Sequence, residues 1–516
     1  MLLVMRRICL KFITFKKFAL SIVVVYFVML LYFMRTSFEG SRLFGVSDSP
    51  RERYESKSVV PRFRLPVLSN ERRRRIASGK SSSARQRYRV LPVSDGYAAR
   101  TGNGFLTRND KNLPAVSAVT SEKNGKDFKE MYTRQCGSKK FVKNLNTFQP
   151  LGFDIWLYSA YIDYRLPAKT FIRVIVLAKH SQILKRSLFC LFGHDSDRDE
   201  EDDLVRMSKY EMCENHNNIY GGFILSCSVP KKRESLCSVK ILLKTDVSNK
   251  SCIVPLSVIP PLRNDDIIPK RYTFGVCLPP LFGTTSVNRL VEYIELHKLL
   301  GVEKFVMYKY DGYSNEVARV IENYVSQELI DLIPWSLPSV VRHRSRLWYH
   351  GQIIAINDCL YRTMNDFMYV SFSDLDEFLI PQNHITWNQL FSSLDSTNVS
   401  GYCFHSTFFN PSPKPSSSLI TTSNYLRTKM TSSVRSKCVV IPERVFEKGI
   451  HHISKPVAHY KSLSLAPSIG VYHHYRNCLR NFHMDCKNYV YDFAVKKFAK
   501  LLEDNVKAAK SEAQSA

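Results

Sequence analysis

Acid is scarce in this sequence. Aspartate and glutamate number 46 against 74 lysines and arginines, a formal net charge of +28, so any local cluster of carboxylates needs a reason. Long apolar runs are scarcer still. The clear case is FALSIVVVYFVMLLYFM, Phe18 to Met34, seventeen uncharged residues that would span about 26 Å at roughly 1.5 Å per residue of helix, the short end for a bilayer. No clear small-x-small site follows the run, which disfavours a cleaved signal peptide and leaves an uncleaved anchor. Arg6, Arg7, Lys11, Lys16 and Lys17 precede it and only Arg35 follows at once, so the positive-inside rule keeps the N-terminus cytosolic and sends everything after Met34 to the lumen or the outside. A short span also suits the thinner membranes of the early secretory route.

Other absences narrow the reading further. From Thr36 to Glu130 no apolar period is sustained, and SSS and ERRRR stand among scattered Gly and Pro, as in a solvated stem. The acidic loop HDSDRDEEDD (His194 to Asp203) lacks a calcium loop's glycine, since Glu200 stands there, and its twelfth position is Arg206. It reads as a solvated loop. Of 13 cysteines only Cys9 lies on the cytosolic side; the rest, even in number, meet an oxidising compartment where complete pairing is open to them. Sequons at Asn249 and Asn398 add weak support. Basic charge by itself raises nucleic-acid binding, but a lumenal chain meets no nucleic acid, and the charge is better matched to acidic donors or to stem solvation.

What is present is globular. At 516 residues with 44% hydrophobic content, two or three folded units are expected. Segments such as KTFIRVIVLA, GGFILSCSV and SVKILLKT are short, branched and apolar, and read as strands of a mostly β region. From Arg271 the pattern alternates: strand YTFGVCL, a helix marked by Val287, Leu290, Val291, Ile294 and His297 to Leu300, strand KFVMYKY, a helix near Asn315 to Gln327, strand LIDLIPW, a helix around Gly351 to Thr363, and strand FMYVSFS. Such alternation predicts an α/β fold with a doubly wound, mainly parallel sheet. The expected organisation is a cytosolic tail (1–17), a transmembrane anchor (18–34), a basic stem (35–134), a mostly β accessory region (135–268), a catalytic domain (269–490) and a C-terminal helix or tail (491–516).

In doubly wound sheets ligands sit beyond the carboxyl ends of the strands, and YVSFSDLDEFLIP (Tyr369 to Pro381) places Asp374, Asp376 and Glu377 there. In extended chain Asp374 and Asp376 would share a side while Leu375 turns inward. Like charges this close resist joint ionisation unless a hard divalent cation, Mn²⁺ or Mg²⁺, takes their oxygens and the phosphates of a nucleotide-linked substrate complete its shell. The plainer alternative is that these acids cap a helix or bind backbone amides in a turn. Phosphoryl transfer of the Asp-x-Asp-Gly-Thr kind is disfavoured, because Glu377-Phe378 follows the pair.

The stretch from CLPPLFG through LVEYIELHKLLGVEKFVMYKYDG, GQIIAINDCLYR and YVSFSDLDEFLIP to GVYHHYR resembles glycosyltransferase family 92 over roughly residues 270 to 480. The resemblance implies a GT-A type fold, Golgi residence as a single-pass type II membrane protein, a UDP-sugar donor, a glycan acceptor on glycoprotein or glycolipid, and inverting transfer of a hexose, best matched by galactose. It implies that Asp374 and Asp376 are the Asp-x-Asp pair, Asp376 as the direct metal ligand and Asp374 as the nucleotide-ribose or second metal contact, with His474 of the HHYR motif completing the shell. Arg476 would offset diphosphate charge, and the same motif also reads as a buried aromatic and histidine cluster. Gln352 and Asp358 become donor-pocket candidates, beside readings as a helix cap and a solvated carboxylate, and Cys359 reads as disulfide or core. Pro279 marks the end of the first strand, where backbone groups would meet the uracil. Inversion needs a general base; Glu443 in KCVVIPERVF is the expected one, with Glu377 as substitute and an ion pair as the ordinary alternative for Glu443. The rival of a different class is a membrane-anchored glycan-binding or scaffold protein that keeps the fold without turnover.

Overall fold

The structure, a computed structural model, describes residues 146–515 apart from 167–168, 193–202, 231–237, 245–251, 260–269, 284, 311–312, 344, 411–417 and 481–483. All of these fall in one compact unit, Leu113–Ala516. The expected anchor and stem, the sequon at Asn249 and most of the acidic loop lie outside the described residues. Among the described residues no helix is long and apolar enough to cross a membrane.

The alternating segments form the strands and helices expected of them. β1 (Tyr272–Leu278), β2 (Lys304–Lys309), β3 (Ile330–Pro334) and β4 (Phe367–Phe372) lie in the order β3-β2-β1-β4, all parallel. β1 passes close to its neighbour: a Cβ at Gly275 would lie 2.5 Å from the Phe367 ring. α1 (Val287–Leu300) ends at Gly301, whose φ of 106° is the left-handed stop that glycine adopts without strain. α2 (Asn315–Ser326) begins under Ser314, which accepts from the Val317 amide. Both helices bury their apolar faces on one side of the sheet, and so does the last helix of the chain, Ala499–Ser515, through Leu502, Val506 and Ala509. α3 (Gln352–Arg362) covers the other side.

Beyond β4 the expected mainly parallel sheet becomes mixed. β5 (Glu377–Pro381), β6 (Val399–Phe408), β7 (Ser432–Val440) and β8 (Gly470–His474) continue it as β4-β7-β6-β8-β5. β7 is antiparallel to β4 and β6, β8 is parallel to β6, and β5 is antiparallel to β8. One short helix, Trp387–Ser392, lies between β5 and β6, and the strands of this half pair in both senses.

The accessory region is a second nine-stranded sheet. Its strands Ile155–Leu166, Lys169–Lys179 and Tyr220–Ser228 run antiparallel and bury one face among Leu157, Val174, Leu225, Ile241 and Val258. Tyr158, Tyr161, Ile175 and Leu177 on the opposite face pack on Ile353, Ile354 and Leu360 of α3. α3 is therefore held between two sheets, with every residue from Gln352 to Tyr361 buried. That environment explains why it carries isoleucine and leucine on more than one stripe, each contributing about 1.5–3 kcal/mol when buried.

Disulfides join Cys190 to Cys227, Cys277 to Cys359, Cys403 to Cys438 and Cys478 to Cys486. The second ties the end of β1 to α3, as Cys359 suggested. Among the described residues Cys252 is an exposed cysteine outside these pairs, and Cys136 and Cys237 lie outside the described residues.

Candidate functional site

A cavity of about 1140 Å³ opens where β1 and β4 finish. Pro279, Gln352, Asp374, Asp376, Glu377, His474 and Arg476 all line it, so seven of the nine residues singled out from the sequence meet at one place. The expected extended Asp374–Asp376 segment is instead a turn, closed by the Glu377 amide donating to the Asp374 carbonyl at 3.0 Å. Leu375 is half-buried and borders the cavity with the two acids.

Antiparallel pairing of β5 with β8 places Glu377 opposite His474. Because side chains alternate along β8, His473 turns into the core beside Phe409 and Asp492, where burial lowers its pKa to about 4. His474 faces the acids. Its Nε2 lies 3.4 Å from Asp376 Oδ2 and its Nδ1 3.4 Å from Glu377 Oε1, the latter without forming a hydrogen bond. The HHYR motif thus holds a core histidine and a site histidine side by side.

Positive charge stands on the facing wall. Arg289, Arg435 and Arg476 line the cavity, and the Arg435 pKa is lowered by burial and by the nearby Arg476. Within β7, Lys437 is buried and its ammonium bridges Glu377 at 2.9 Å and Asp374 at 3.2 Å. The region containing KCVVIPERVF therefore does reach the site, but through Lys437 at its N-terminal end. Glu443 is carried away: β7 runs antiparallel to β4, so the chain leaving β7 emerges at the opposite edge of the sheet. There Glu443, 43% exposed, pairs with Lys270 at 2.9 Å and does not line the cavity.

Asp358 is the other residue placed elsewhere, neither solvated nor in the cavity. It is fully buried and accepts from Ser159, from the Tyr161 and Tyr308 hydroxyls at 2.6 Å each, and from Arg362 at 3.0 Å. It joins α3 to the accessory sheet and to β2. Asp358→Asn keeps the shape but strands Arg362 without its counter-charge, and breaking a buried pair in this way costs about 3–5 kcal/mol. A clear fall in the calorimetric unfolding temperature is expected.

Several lining residues carried no sequence signal. Trp348 and Tyr349 stand on a turn in which Tyr349, His350 and Gly351 all have positive φ (39°, 54° and 80°), a strained conformation of the kind that gathers at functional sites. Only the glycine hinted at it. Glu214 and His216 reach the same cavity from the accessory sheet.

Two buried lysines show what their neighbours decide. Burial opposes charge on Lys437, but the carboxylates of Asp374 and Glu377 outweigh it and raise the pKa. Lys448 has only the carbonyls of Gly449 (2.5 Å) and His452 (3.3 Å) as acceptors, and burial with the nearby Lys437 pushes it down to about 7. Between pH 7 and its unfolded value near 10.5, Lys448 binds a proton only when unfolded, so stability rises with pH across that window. Lys448→Met should remove the rise. Urea unfolding at pH 7 and pH 9 is expected to differ by a few kcal/mol in the wild type and hardly at all in the variant.

The donor set suits a hard divalent ion. Adjacent ligands at ~2.1 Å from such an ion stand ~3 Å apart, close to the 3.4 Å between Asp376 Oδ2 and His474 Nε2. His474 Nδ1 faces Glu377 Oε1 at 3.4 Å without a hydrogen bond, so the donated bond of the carboxylate–histidine pattern of metal sites is not made here. Among the described residues no group of three or more His, Cys, Asp or Glu could hold an ion unaided, so a bound substrate would have to supply the remaining oxygens.

Residues 272–511 match the family model described as Glycosyltransferase family 92. The chain is 30% identical over 286 residues to the Caenorhabditis elegans protein "Beta-1,4-galactosyltransferase galt-1", covering 52% of this chain and 64% of that one. Over 219 residues it is 28% identical to the Arabidopsis thaliana protein "Galactan beta-1,4-galactosyltransferase GALS3", 38% of this chain and 40% of the relative. A third relative, "Galactan beta-1,4-galactosyltransferase GALS1" of Arabidopsis thaliana, is 24% identical over 275 residues, 46% and 51% of the two chains. The chain spans less than two thirds of the length of each of these relatives.

Proposed function

We propose that the protein, whose residues 272–511 match the glycosyltransferase family 92 model, is a galactosyltransferase that moves galactose from UDP-galactose to a glycan hydroxyl, with inversion, on a GT-A type sheet. The observation that carries this reading is the Asp376–His474 pair at 3.4 Å, set in a cavity with Asp374, Arg435 and Arg476 at the carboxyl end of β4. Relatives named as β-1,4-galactosyltransferases support the choice of sugar.

Asp376 and His474 would hold Mn²⁺ or Mg²⁺, with Asp374 beside them. The ion, when bound, supplies Lewis-acid stabilisation of the departing diphosphate. Arg435 and Arg476 neutralise diphosphate oxygens and hold the donor in one orientation. Lys437 bridges Asp374 and Glu377 and fixes both side chains, so the wall is set before substrate arrives. Pro279 and Gln352, joined through the Cys277–Cys359 link between their elements, shape the nucleoside end.

We further place the protein in the Golgi membrane as a single-pass type II chain, on the charge asymmetry about Phe18–Met34. A C-terminal tag should resist protease in sealed microsomes, and digestion without detergent would contradict that placement. The activity is tested by incubating the lumenal region with Mn²⁺ and a panel of UDP-sugars. UDP release dependent on both the ion and UDP-galactose supports the reading; silence with every donor overturns it.

A further inference from the structure

The proposed reaction needs a group to take the acceptor proton, and the expected Glu443 sits at the wrong edge of the sheet. The acids that line the cavity are Glu214, Glu292, Asp374, Asp376 and Glu377. Glu292 is committed to the amides of Ile420 and Thr421 and to the Thr421 hydroxyl. Glu377, 1% exposed, accepts from the Asp374 amide and pairs with Lys437. Asp374 shares that lysine, and Asp376 faces His474. Glu214 remains. Its Oε2 accepts from the Ile450 amide, its Oε1 lies 3.9 Å from His452 Nδ1, and among the described residues no lysine or arginine stands within ion-pair distance of it.

The loop that presents Glu214 is firmly built. Asn215, buried, accepts from the Gly222 amide at 2.7 Å and donates to the Gly222 carbonyl at 3.1 Å. Glu447 fixes the preceding turn by accepting from the Cys213 amide at 2.7 Å and the Tyr210 hydroxyl at 2.6 Å. On the far side of Glu214, His216 stacks on Trp348 with ring centroids 4.2 Å apart. Gly449 leaves the carboxylate its space, since a Cβ there would lie 2.8 Å from Glu214 Oε2.

We propose that Glu214, contributed by the accessory sheet, is the general base of the transfer, so that the accessory sheet completes the active site. This rests on the glycosyltransferase reading above. The acceptor oxygen forms its bond to the anomeric carbon as the bond from that carbon to the diphosphate oxygen breaks. The leaving electron pair stays on the diphosphate, and the acceptor proton passes to Glu214 Oε1. The titratable groups around it are His452, whose pKa burial lowers, Lys448 and Glu447.

The test is Glu214→Gln, assayed with UDP-galactose, Mn²⁺ and p-nitrophenyl β-galactoside as acceptor. Transfer should fall by about 10²–10⁴-fold in kcat, with Mn²⁺-dependent UDP affinity and unfolding temperature unchanged. The residual rate should climb about tenfold per pH unit from pH 6 to 9, because solvent hydroxide must then take the proton, while the wild type stays level. Glu214→Asp should recover part of the rate. Transfer within threefold of wild type, or a deep loss with a level pH profile in both variants, overturns the assignment. A wild type silent with every UDP-sugar instead overturns the reading on which it rests.

Discussion

Replacing Asp376 with asparagine is expected to lower sugar transfer by about 10²–10⁴-fold, the effect of removing several kcal/mol of charge stabilisation at the diphosphate. The side chain is 24% exposed, and among the described residues its close partner is His474. The structural bond at this position, from the Tyr475 amide, goes to the backbone carbonyl at 2.8 Å and survives the change. The unfolding temperature should therefore stay put while Mn²⁺-dependent turnover of UDP-galactose disappears. Undiminished turnover in a folded variant would remove Asp376 from the ligand set.

Lys437→Met is expected to strike stability instead. Its ammonium is the counter-charge of Glu377, which is buried, and removing one member of such a pair costs about 3–5 kcal/mol. The loss should be smaller at pH 5 than at pH 8, because an unpaired buried carboxylate takes up a proton more readily and so sheds its uncompensated charge. A second substitution, Glu377→Gln, should return part of the stability of Lys437→Met, and a double-mutant cycle by urea unfolding measures the coupling. Strictly additive losses would mean that the two groups do not support each other.

The first half of the catalytic sheet was legible because each of its elements carries its own period. YTFGVCL is β1 residue for residue, and the apolar stripe begun at Val287 gives α1 its observed limits. The rule that ligands sit where parallel strands end pointed to Asp374 and Asp376, and both line the cavity. The second half was not legible, because it is held by pairing between distant strands. Nothing local in Glu377–Pro381 or Gly470–His474 says that they lie antiparallel, yet that pairing puts His474 against Asp376 and Glu377. Glu443 lies off the cavity for the same reason: a glutamate just after a strand is near that end of the sheet only when the strand runs with β4, and β7 runs against it.

Asp358 shows a different limit. A helix with one apolar stripe ordinarily turns its other face to water, and Asp358 would then be solvated. Here a second sheet covers that face, and three hydroxyls and a guanidinium surround the carboxylate. Glu214 was hidden likewise, since only the packing of the accessory sheet against α3 brings its loop to the cavity.

The central claim is that side-chain oxygen and nitrogen at the end of β4 grip a cation through which a nucleoside diphosphate is held. Calorimetric titration of UDP into residues 35–516, with Mn²⁺ and with chelator, tests it most directly. UDP should bind only when Mn²⁺ is present, and Asp376→Asn should abolish that binding while Glu214→Gln leaves it intact. UDP binding equally well under chelator, or to Asp376→Asn, would contradict the account.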